Sequence, residues 1–412
     1  MTDRSILHVD MNNFYASVEC LYNPDIRNFP VIVGGDAEKR HGIVLAKNNI
    51  AKKFGVKTGE TIWQAREKCP HLINVKPNFE RYLKFSSMAR EIYDEYTDQV
   101  ESFGLDECWL DVSGSFIFGN GIKIAEQIRA RIKRELGITA SIGVSFNKIF
   151  SKLGSDYKKP DAITIINREN FKSIVWPLAV ENLLYVGRET KKKFINYNIK
   201  TIGDLANTNI KFLKDNLGKW GLILWHFANG LDNSIVTQNT YTSQIKSIGN
   251  GTTTPVDLMS DEDVKITLCP LCENVAKRLK KAGLKARTIQ TDIRSNDFQS
   301  YSKQGKLKSP GNISQEIYEL SFKLYKDSYR RDRGIRYIGV RGTDLVTNGN
   351  TQLDIFSNET KRENLERLDI AMDNLRERFG YSVISRAMYL NNKLSELNPE
   401  MHTIHPVSYF KN

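Results

Sequence analysis

Short apolar runs and amphipathic stretches alternate along the first 170 residues of the chain. An apolar run ending on Asp10 predicts a buried strand, and the residues after it predict a helix over about 14–21. The stretch Val100–Val112 alternates in the manner of two short strands joined at a tight bend. Further patterns predict a helix over 78–96, a helix over 122–136, a strand over 140–145 and a helix over 147–157. This order is typical of a βαββαβ-like α+β domain.

The remaining stretches predict three further regions. Residues 22–76 form a small unit with two strands, at 31–33 and 43–46, and helices beginning near Asn48 and Thr61. A helical segment follows over about 170–240, and the polar stretch 232–243 reads as a linker because it has no apolar period. The last region predicts a strand after Lys246, a helix over 260–282, strands over 288–294 and 299–303, a helix over 313–329, a strand over 335–340 and a helix over 361–379.

Three carboxylates are the first candidates for chemistry. Asp106 and Glu107 lie at the predicted bend, where the turning backbone lets two adjacent side chains reach one point. Carboxylate oxygens suit Mg²⁺, and two such ions about 3.5–4 Å apart support phosphoryl transfer. Acidic pairs in turns are often solvated instead, because turns favour Asp for local hydrogen bonding. Asp10, at the end of a neighbouring strand, favours the two-metal interpretation.

The composition of the chain indicates its class of binding partner and its cellular compartment. The 412 residues suffice for two or more domains, and the net charge of +12 favours a polyanion such as nucleic acid as partner. Five irregularly placed cysteines, without a signal peptide or a long apolar run, suggest a reduced cytoplasmic protein with no membrane partner. Cys269 and Cys272 have CxxC spacing, but without a second ligand pair buried packing on a helix is favoured over zinc binding.

Three blocks of sequence occur in a characteristic order and spacing. They are His8 to Glu19, Leu105-Asp106-Glu107, and Ala140 to Lys148 followed by Lys159-Pro160. Together they resemble the signature motifs of the Y-family translesion DNA polymerases. Further matches continue to about residue 356. Within the family, the segment Asn48 to Lys52 resembles the bacterial, UmuC-like branch more than other members.

The resemblance implies an α+β multidomain fold arranged as a right hand. The expected domains are a βαββαβ-like palm at 1–21 and 77–169, small fingers at 22–76, a helical thumb with a helix-hairpin-helix at 170–235, a linker and ferredoxin-like little finger at 236–345, and a C-terminal tail at 346–412. In the thumb, Tyr185 stands where the family usually has the first glycine of a phosphate-binding turn. Phosphate binding by this turn is therefore left open.

The resemblance also assigns roles near the carboxylates. Asp10, Asp106 and Glu107 would hold two Mg²⁺ ions, with the Met11 carbonyl as a further ligand, for transfer of a deoxynucleotide from a dNTP to a primer. Tyr15 would be the steric gate that excludes ribonucleotides. Phe14, Tyr15, Asn49, Lys52 and Lys159 would contact the nucleotide. Asn49 and Lys52 depart from the tyrosine and arginine of many members, and Lys52 lacks the bidentate geometry of arginine.

The basic charge of the last region suggests a DNA backbone as its partner. Residues 246–345 contain 19 basic and 12 acidic residues, a net charge of +7. The phosphate candidates are Lys246, Arg294, Arg336 and Arg341. Lys47, Lys148 and Lys152, elsewhere in the chain, are compatible with simple solvation.

Gln352-Leu353-Asp354-Ile355-Phe356 resembles the sliding-clamp motif of bacterial polymerases, with Gln352, Leu353 and Phe356 as clamp contacts. Local packing of Leu353 and Phe356 on the protein's own surface is the alternative. The family further implies low fidelity, lesion bypass in DNA repair after DNA damage, the SOS response, and no proofreading exonuclease.

Two other functions compete with the polymerase. A non-catalytic DNA-binding scaffold would tolerate loss of a metal ligand, yet all three carboxylates are present. A nucleotidyl cyclase on a related palm would leave the basic region and the clamp-like pentamer unexplained.

Overall fold

The computed structural model describes residues 4–35, 42–241, 244–329, 333–347, 359–389 and 399. Within these ranges the chain divides into two compact units, with the boundary near residue 242. In chain order the first unit contains β1 (Ile6–Met11), α1 (Phe14–Tyr22), β2 (Val31–Gly34), β3 (Val44–Lys47), α2 (Asn49–Lys53), α3 (Ile62–Lys68), β4 (Ile73–Val75), α4 (Phe79–Asp94), β5 (Val100–Ser102), β6 (Glu107–Asp111), α5 (Gly121–Arg131), β7 (Ala140–Ser145), α6 (Lys148–Tyr157), β8 (Ile163–Ile166), α7 (Phe171–Val175), α8 (Arg188–Asn196), α9 (Ile202–Asn207) and α10 (Ile210–Ala228).

A five-stranded sheet in the order β5-β6-β1-β7-β8 forms the centre of the first unit. Strand β1 pairs antiparallel with β6 on one side and β7 on the other, and every one of its side chains is buried. Leu7, Val9 and Met11 join the main apolar core, so the alternate residues His8 and Asp10 point to the opposite face. The predicted strand that ends in a carboxylate is confirmed.

Helix α6 packs closely on that opposite face because two glycines leave room for it. A Cβ on Gly143 of β7 would lie 1.9 Å from the Ser151 carbonyl oxygen, and one on Gly154 would lie 3.0 Å from Cα of Gly143. Asn147 begins the helix by accepting a hydrogen bond from the Phe150 N–H at 2.7 Å, as its sequence position predicts. The contact brings the polar side chains of α6 against β1.

The region 22–76 contains a small sheet in the order β3-β2-β4. Helix α2 is capped by Asn48, whose side chain accepts from the Ala51 N–H, and α3 is capped by Thr61 in a capping box with Gln64. Both predicted helix starts are confirmed.

The helical region contains an unusual turn before α8. Tyr185, at the position where the resemblance leads us to expect a glycine, has φ +70°, a conformation that glycine adopts without strain. Its half-exposed ring lies 6.0 Å from that of Trp220, and both line a groove of about 300 Å³. The turn therefore keeps the glycine-type backbone while covering it with an aromatic side chain.

The second unit contains β9 (Ser247–Leu258), α11 (Asp261–Lys281), β10 (Leu284–Ser295), β11 (Ser300–Gly311), α12 (Ser314–Ser328), β12 (Ile335–Thr347) and α13 (Glu359–Phe379). Its strands form one antiparallel sheet in the order β11-β10-β12-β9, and the first six elements have βαββαβ connectivity. The expected strand over 299–303 was too short. Strand β11 continues through the lysine-rich stretch to Gly311, because its outward positions need no apolar side chains.

Cys269 and Cys272 are both buried in the core on α11, as the packing interpretation predicted. Helix α13 is held to this unit largely by charge. Glu273 lies 3.0 Å from Arg376, and Asp369 lies 2.9 Å from Lys280 and accepts from the Ser314 N–H. Within the described residues, no helix is long and apolar enough to cross a membrane.

Candidate active site

The three predicted carboxylates lie at the same end of the central sheet. Asp10 on β1 stands directly opposite Glu107 on β6. Asp106 is joined to the same strand end, because its carbonyl oxygen accepts from the Met11 N–H at 3.0 Å. The bend before β6 turns at Gly104, with φ +104°, whose carbonyl accepts from Arg90 of α4 at 3.1 Å. The sheet and α4 therefore fix the position of all three carboxylates.

The carboxylates repel one another in a partly desolvated site. Burial, with the charges of Asp10 and Glu107, raises the pKa of Asp106 to about 7. Burial and the charge of Glu107 also raise the pKa of Asp10. A cation placed among them would relieve this repulsion.

Two lysines supply positive charge to this site. Lys159 Nζ lies 2.6 Å from Asp10 Oδ2, and Lys152 Nζ lies 3.3 Å from the same oxygen and 3.0 Å from Glu107 Oε2. Burial alone lowers the pKa of Lys152, but Glu107 and Asp10 outweigh it and the pKa is raised. Solvation of Lys152 was the wrong interpretation. The sequence contains one indication that Lys152 is ion-paired: Asp156 follows it by four residues on the same face of the helix, and the two side chains lie 3.1 Å apart.

The donor set suits divalent cations, although Asp10 and Glu107 are paired with lysines here. In the described part of the chain, no three His, Cys, Asp or Glu side chains converge closely enough to hold a metal ion. Three carboxylates, two of them with raised pKa values, are nevertheless the hard oxygen ligands that Mg²⁺ prefers. The residues therefore fit a divalent metal by chemistry.

Asn12, which the sequence analysis did not assign, fixes the turn that carries Lys159. Its buried side-chain oxygen accepts from the Asp161 N–H at 2.8 Å, and its NH₂ donates to Ser141 at 2.9 Å. Asp161 in turn lies 2.9 Å from Arg129. Lys159 is thus anchored beside the sheet.

Tyr15 is held rigidly at the edge of the site. Its ring stacks on Tyr82 with centroids 4.2 Å apart and packs edge-on against Phe79. Burial and the Asp106 charge raise its pKa to about 12, so the hydroxyl stays protonated. The Phe14 ring is buried in the core, which leaves only its backbone available to a nucleotide.

The remaining nucleotide candidates lie at α2. Asn49 is exposed and accepts from the Asn13 side chain at 3.0 Å, and Lys52 is exposed. Lys47 is not simply solvated: it donates to Thr58 at 3.1 Å, and burial and the charge of Lys52 lower its pKa. Two neighbouring cations at α2 provide a local positive charge.

The four candidate phosphate contacts lie in the second unit. Lys246, Arg294 and Arg341 are exposed, and Arg336 is half-buried over the Phe298 ring. Arg294 and Arg341 project from the sheet face opposite the core, because Ile293 and Val340 next to them are buried. Lys306 and Lys308 on β11, which the sequence analysis did not assign, are also exposed. Gln352, Leu353 and Phe356 lie outside the described residues.

Lys148, the other lysine thought compatible with solvation, is buried. Its Nζ lies 2.7 Å from Glu101 and sits over the Trp109 ring at 4.6 Å from the centroid. The side chain packs the start of α6 against β5 and β6.

Comparison with known proteins identifies the family. A model of the impB/mucB/samB family matches residues 9–156, and a model of its C-terminal domain matches residues 245–355. DNA polymerase IV of Acetivibrio thermocellus is 54% identical over 95% of this chain and 98% of its own, and DNA polymerase IV 2 of Bacillus subtilis is 37% identical over 95% of each.

The fold agrees with this assignment. The solved structure of a Y-family DNA polymerase chimera, 24% identical, superposes with a TM-score of 0.73 over 84% of this chain and 100% of that one. The α+β multidomain fold that the sequence predicts is therefore confirmed. The chain belongs to the Y family of DNA polymerases, in its impB/mucB/samB group.

Proposed function

We propose that the protein is a template-directed DNA polymerase of low fidelity that extends primers from dNTPs and bypasses DNA lesions. The observation that carries the proposal is the placement of Asp10, Asp106 and Glu107 at one end of the sheet, with Lys159 paired to Asp10. Relatives named DNA polymerase IV over nearly the whole chain support it.

The carboxylates would hold two Mg²⁺ ions, with the Met11 carbonyl as a further ligand. When bound, such ions activate the primer 3′-hydroxyl and stabilise charge on the leaving pyrophosphate. The raised pKa values of Asp10 and Asp106 support cation binding, because a divalent ion restores the charged forms.

Three lysines provide positive charge for the triphosphate of the dNTP. Lys159, anchored through Asn12, binds the β- and γ-phosphates of the dNTP and stabilises the charge that develops there. Lys52, with Lys47 beside it, attracts the same triphosphate from the α2 side. Asn49 orients it through its side-chain amide.

Tyr15 serves as the gate against ribonucleotides. A 2′-hydroxyl is excluded only if the ring cannot move, and the Tyr82 and Phe79 contacts supply that rigidity. The gate therefore depends on packing rather than on the tyrosine hydroxyl.

The second unit contacts the DNA backbone through Lys246, Arg294, Arg336 and Arg341. The pentamer containing Gln352, Leu353 and Phe356 recruits a sliding clamp, and the protein acts in the cytoplasm during the SOS response. Ile43 and Leu45 form part of the surface that covers the templating base, and the side chain of Ile43 is 45% exposed. This surface is tight, so it limits bypass of bulky adducts.

The test is primer extension on an undamaged template with Mg²⁺ and all four dNTPs. Wild type should add few nucleotides per encounter, Asp106→Ala none, and Tyr15→Ala should begin to accept ribonucleotides. Primer-template binding by Asp106→Ala, measured by fluorescence anisotropy, should stay close to wild type. A wild type that binds DNA but never extends it, even with a clamp present, would support the scaffold function instead.

A further inference from the structure

A buried histidine lies directly behind the carboxylates. His8 is fully buried on β1, two residues before Asp10 and on the same strand face. Its Nδ1 lies 2.9 Å from Ser155 Oγ, and its Nε2 lies 3.4 Å from Glu107 Oε2. The ring therefore connects helix α6 to a proposed metal ligand on β6.

The close helix packing makes this connection possible. His8 stands opposite Gly143 in the sheet. A Cβ at that glycine would lie 2.6 Å from the Ser155 backbone nitrogen, so only glycine lets Ser155 approach the ring. The Trp109 ring closes another side of the imidazole, with centroids 5.0 Å apart.

The direction of these bonds follows from counting protons. Ser155 Oγ also lies 2.8 Å from the Lys152 carbonyl, but its hydroxyl has one proton to donate. The Lys152 carbonyl lies inside α6, where the Asp156 N–H is its regular partner. That carbonyl is therefore satisfied without the Ser155 proton, which can turn to His8 Nδ1 and leave no acceptor unpaired.

The other neutral form of His8, with its proton on Nδ1, would leave an unfavourable contact between Nε2 and Glu107. If His8 carried its proton on Nδ1, the Nε2 lone pair would face the Glu107 carboxylate in a buried site, where neither Nε2 nor Oε2 makes a hydrogen bond of standard geometry within the described residues. A proton on Nε2 makes the 3.4 Å contact with the carboxylate attractive, although it is longer than the usual hydrogen-bond range of about 2.7–3.2 Å. A doubly protonated ring would donate from Nε2 as well.

We propose that His8 is a positioning residue for Glu107, in which the Ser155 hydroxyl donates to Nδ1 and Nε2–H donates to Oε2 of the carboxylate. The relay anchors one carboxylate oxygen and leaves the other for a cation. Lys152 contacts the same oxygen at 3.0 Å, so both partners fix the same end of the group. The role in metal binding rests on the proposed function, whereas the hydrogen-bond relay does not.

The relay is tested first by ¹⁵N NMR of the full chain without metal or DNA, with the His8 signals assigned by comparison with His8→Leu. We expect the proton of the neutral ring on Nε2 and a bare Nδ1. Ser155→Ala should weaken this preference, whereas Ser151→Ala should not. Ser151 is the matched control because it is equally buried, one turn earlier on α6, and donates to the Lys148 carbonyl. A proton on Nδ1 with Nε2 bare would overturn the proposal.

The consequence for cations is tested by Mn²⁺ binding, followed by electron paramagnetic resonance with a dideoxy-terminated primer-template and dNTP. His8→Leu should weaken Mn²⁺ binding about 10-fold or more, as outer-shell changes commonly do. His8→Gln, whose amide can donate from the position of Nε2, should recover much of the loss, and Ser155→Ala should lie between wild type and His8→Leu. Equal Mn²⁺ affinity in His8→Leu and Ser151→Ala would refute the positioning role. Failure of wild type to extend primers would refute the proposed function but leave the NMR result intact.

Discussion

Lys159 and Asp10, 149 positions apart in sequence, form a 2.6 Å ion pair at the end of the central sheet. Lys152 and Asp156 extend it into a four-residue network with alternating charge. The lysines lower the pKa of Asp10, but burial and the charge of Glu107 outweigh them and the pKa is raised. Loss of either lysine should therefore raise the pKa of Asp10 further.

Replacing Lys152 by Met should shift the acidic limb of the pH–rate profile to higher pH. Lys152 lowers the pKa of Asp10, so its loss raises that pKa further. Activity should fall several-fold at the acidic end and much less at alkaline pH. The measurement is single-turnover primer extension against pH. Lys158→Met, at an exposed position near the same helix end, is the control. An equal loss of activity at every pH would contradict the prediction.

Asp106→Asn should stabilise the metal-free protein above neutral pH. The pKa of Asp106 is raised from 3.8 to about 7, so the native state holds its proton over an interval in which the unfolded chain has lost it. Wild-type stability therefore falls as pH rises from about 4 to 7, and this penalty is complete above 7.

Thermal unfolding with a chelator present would test this. The Tm gain of Asp106→Asn should be absent near pH 4 and largest above pH 7, and added Mg²⁺ should raise the Tm of wild type more than that of the variant. Asp25→Asn, at an exposed site, should show neither effect. A Tm difference independent of pH would rule out a buried, charged Asp106 as its cause.

Gly143→Ala should destabilise the first unit by about 3 kcal/mol or more, because the new Cβ would overlap the Ser151 carbonyl at 1.9 Å. Urea unfolding followed by circular dichroism measures the change. Gly187→Ala is the matched control: its φ is −78°, and no atom lies within 4 Å of the position that an added Cβ would take. Its free energy of unfolding should change by less than about 1 kcal/mol. Similar losses in both variants would show that the helix contact is not the cause.

Arg294→Ala and Arg341→Ala should each weaken primer-template binding without changing sequence preference. Each lost phosphate contact should reduce the slope of log K against log salt by about 0.9. Fluorescence anisotropy at several NaCl concentrations measures the slope. Lys323→Ala, exposed on helix α12, should leave it unchanged. An unchanged slope in both arginine variants would remove this sheet face from the DNA interface.

Much of the fold follows from local sequence patterns. The strand ending at Asp10, the acidic bend and the helix starts at Asn48, Thr61 and Asn147 all have short-range signals, and all are found. Strand β11 was predicted too short because its lysine-rich part has no apolar period on the exposed face.

The parts of the site that the sequence did not reveal depend on long-range pairing. Lys152 gains its role from Asp10 and Glu107, which are distant in sequence, so its helix alone cannot separate an ion-paired lysine from a solvated one. Asn12 and His8 lie inside the motif that contains Asp10, but their partners Asp161 and Ser155 are brought there by the sheet and by Gly143.

The central position of β1 links the loss of catalysis on heating to the unfolding of the sheet. Its backbone is hydrogen-bonded along both edges, and its side chains are buried on both faces. Its amide hydrogens should therefore exchange with solvent only when the whole unit opens. Because Asp10 lies on this strand, heating should abolish catalysis at the same temperature at which the sheet unfolds. No long-lived intermediate should keep the sheet folded while Asp10 is displaced from the site.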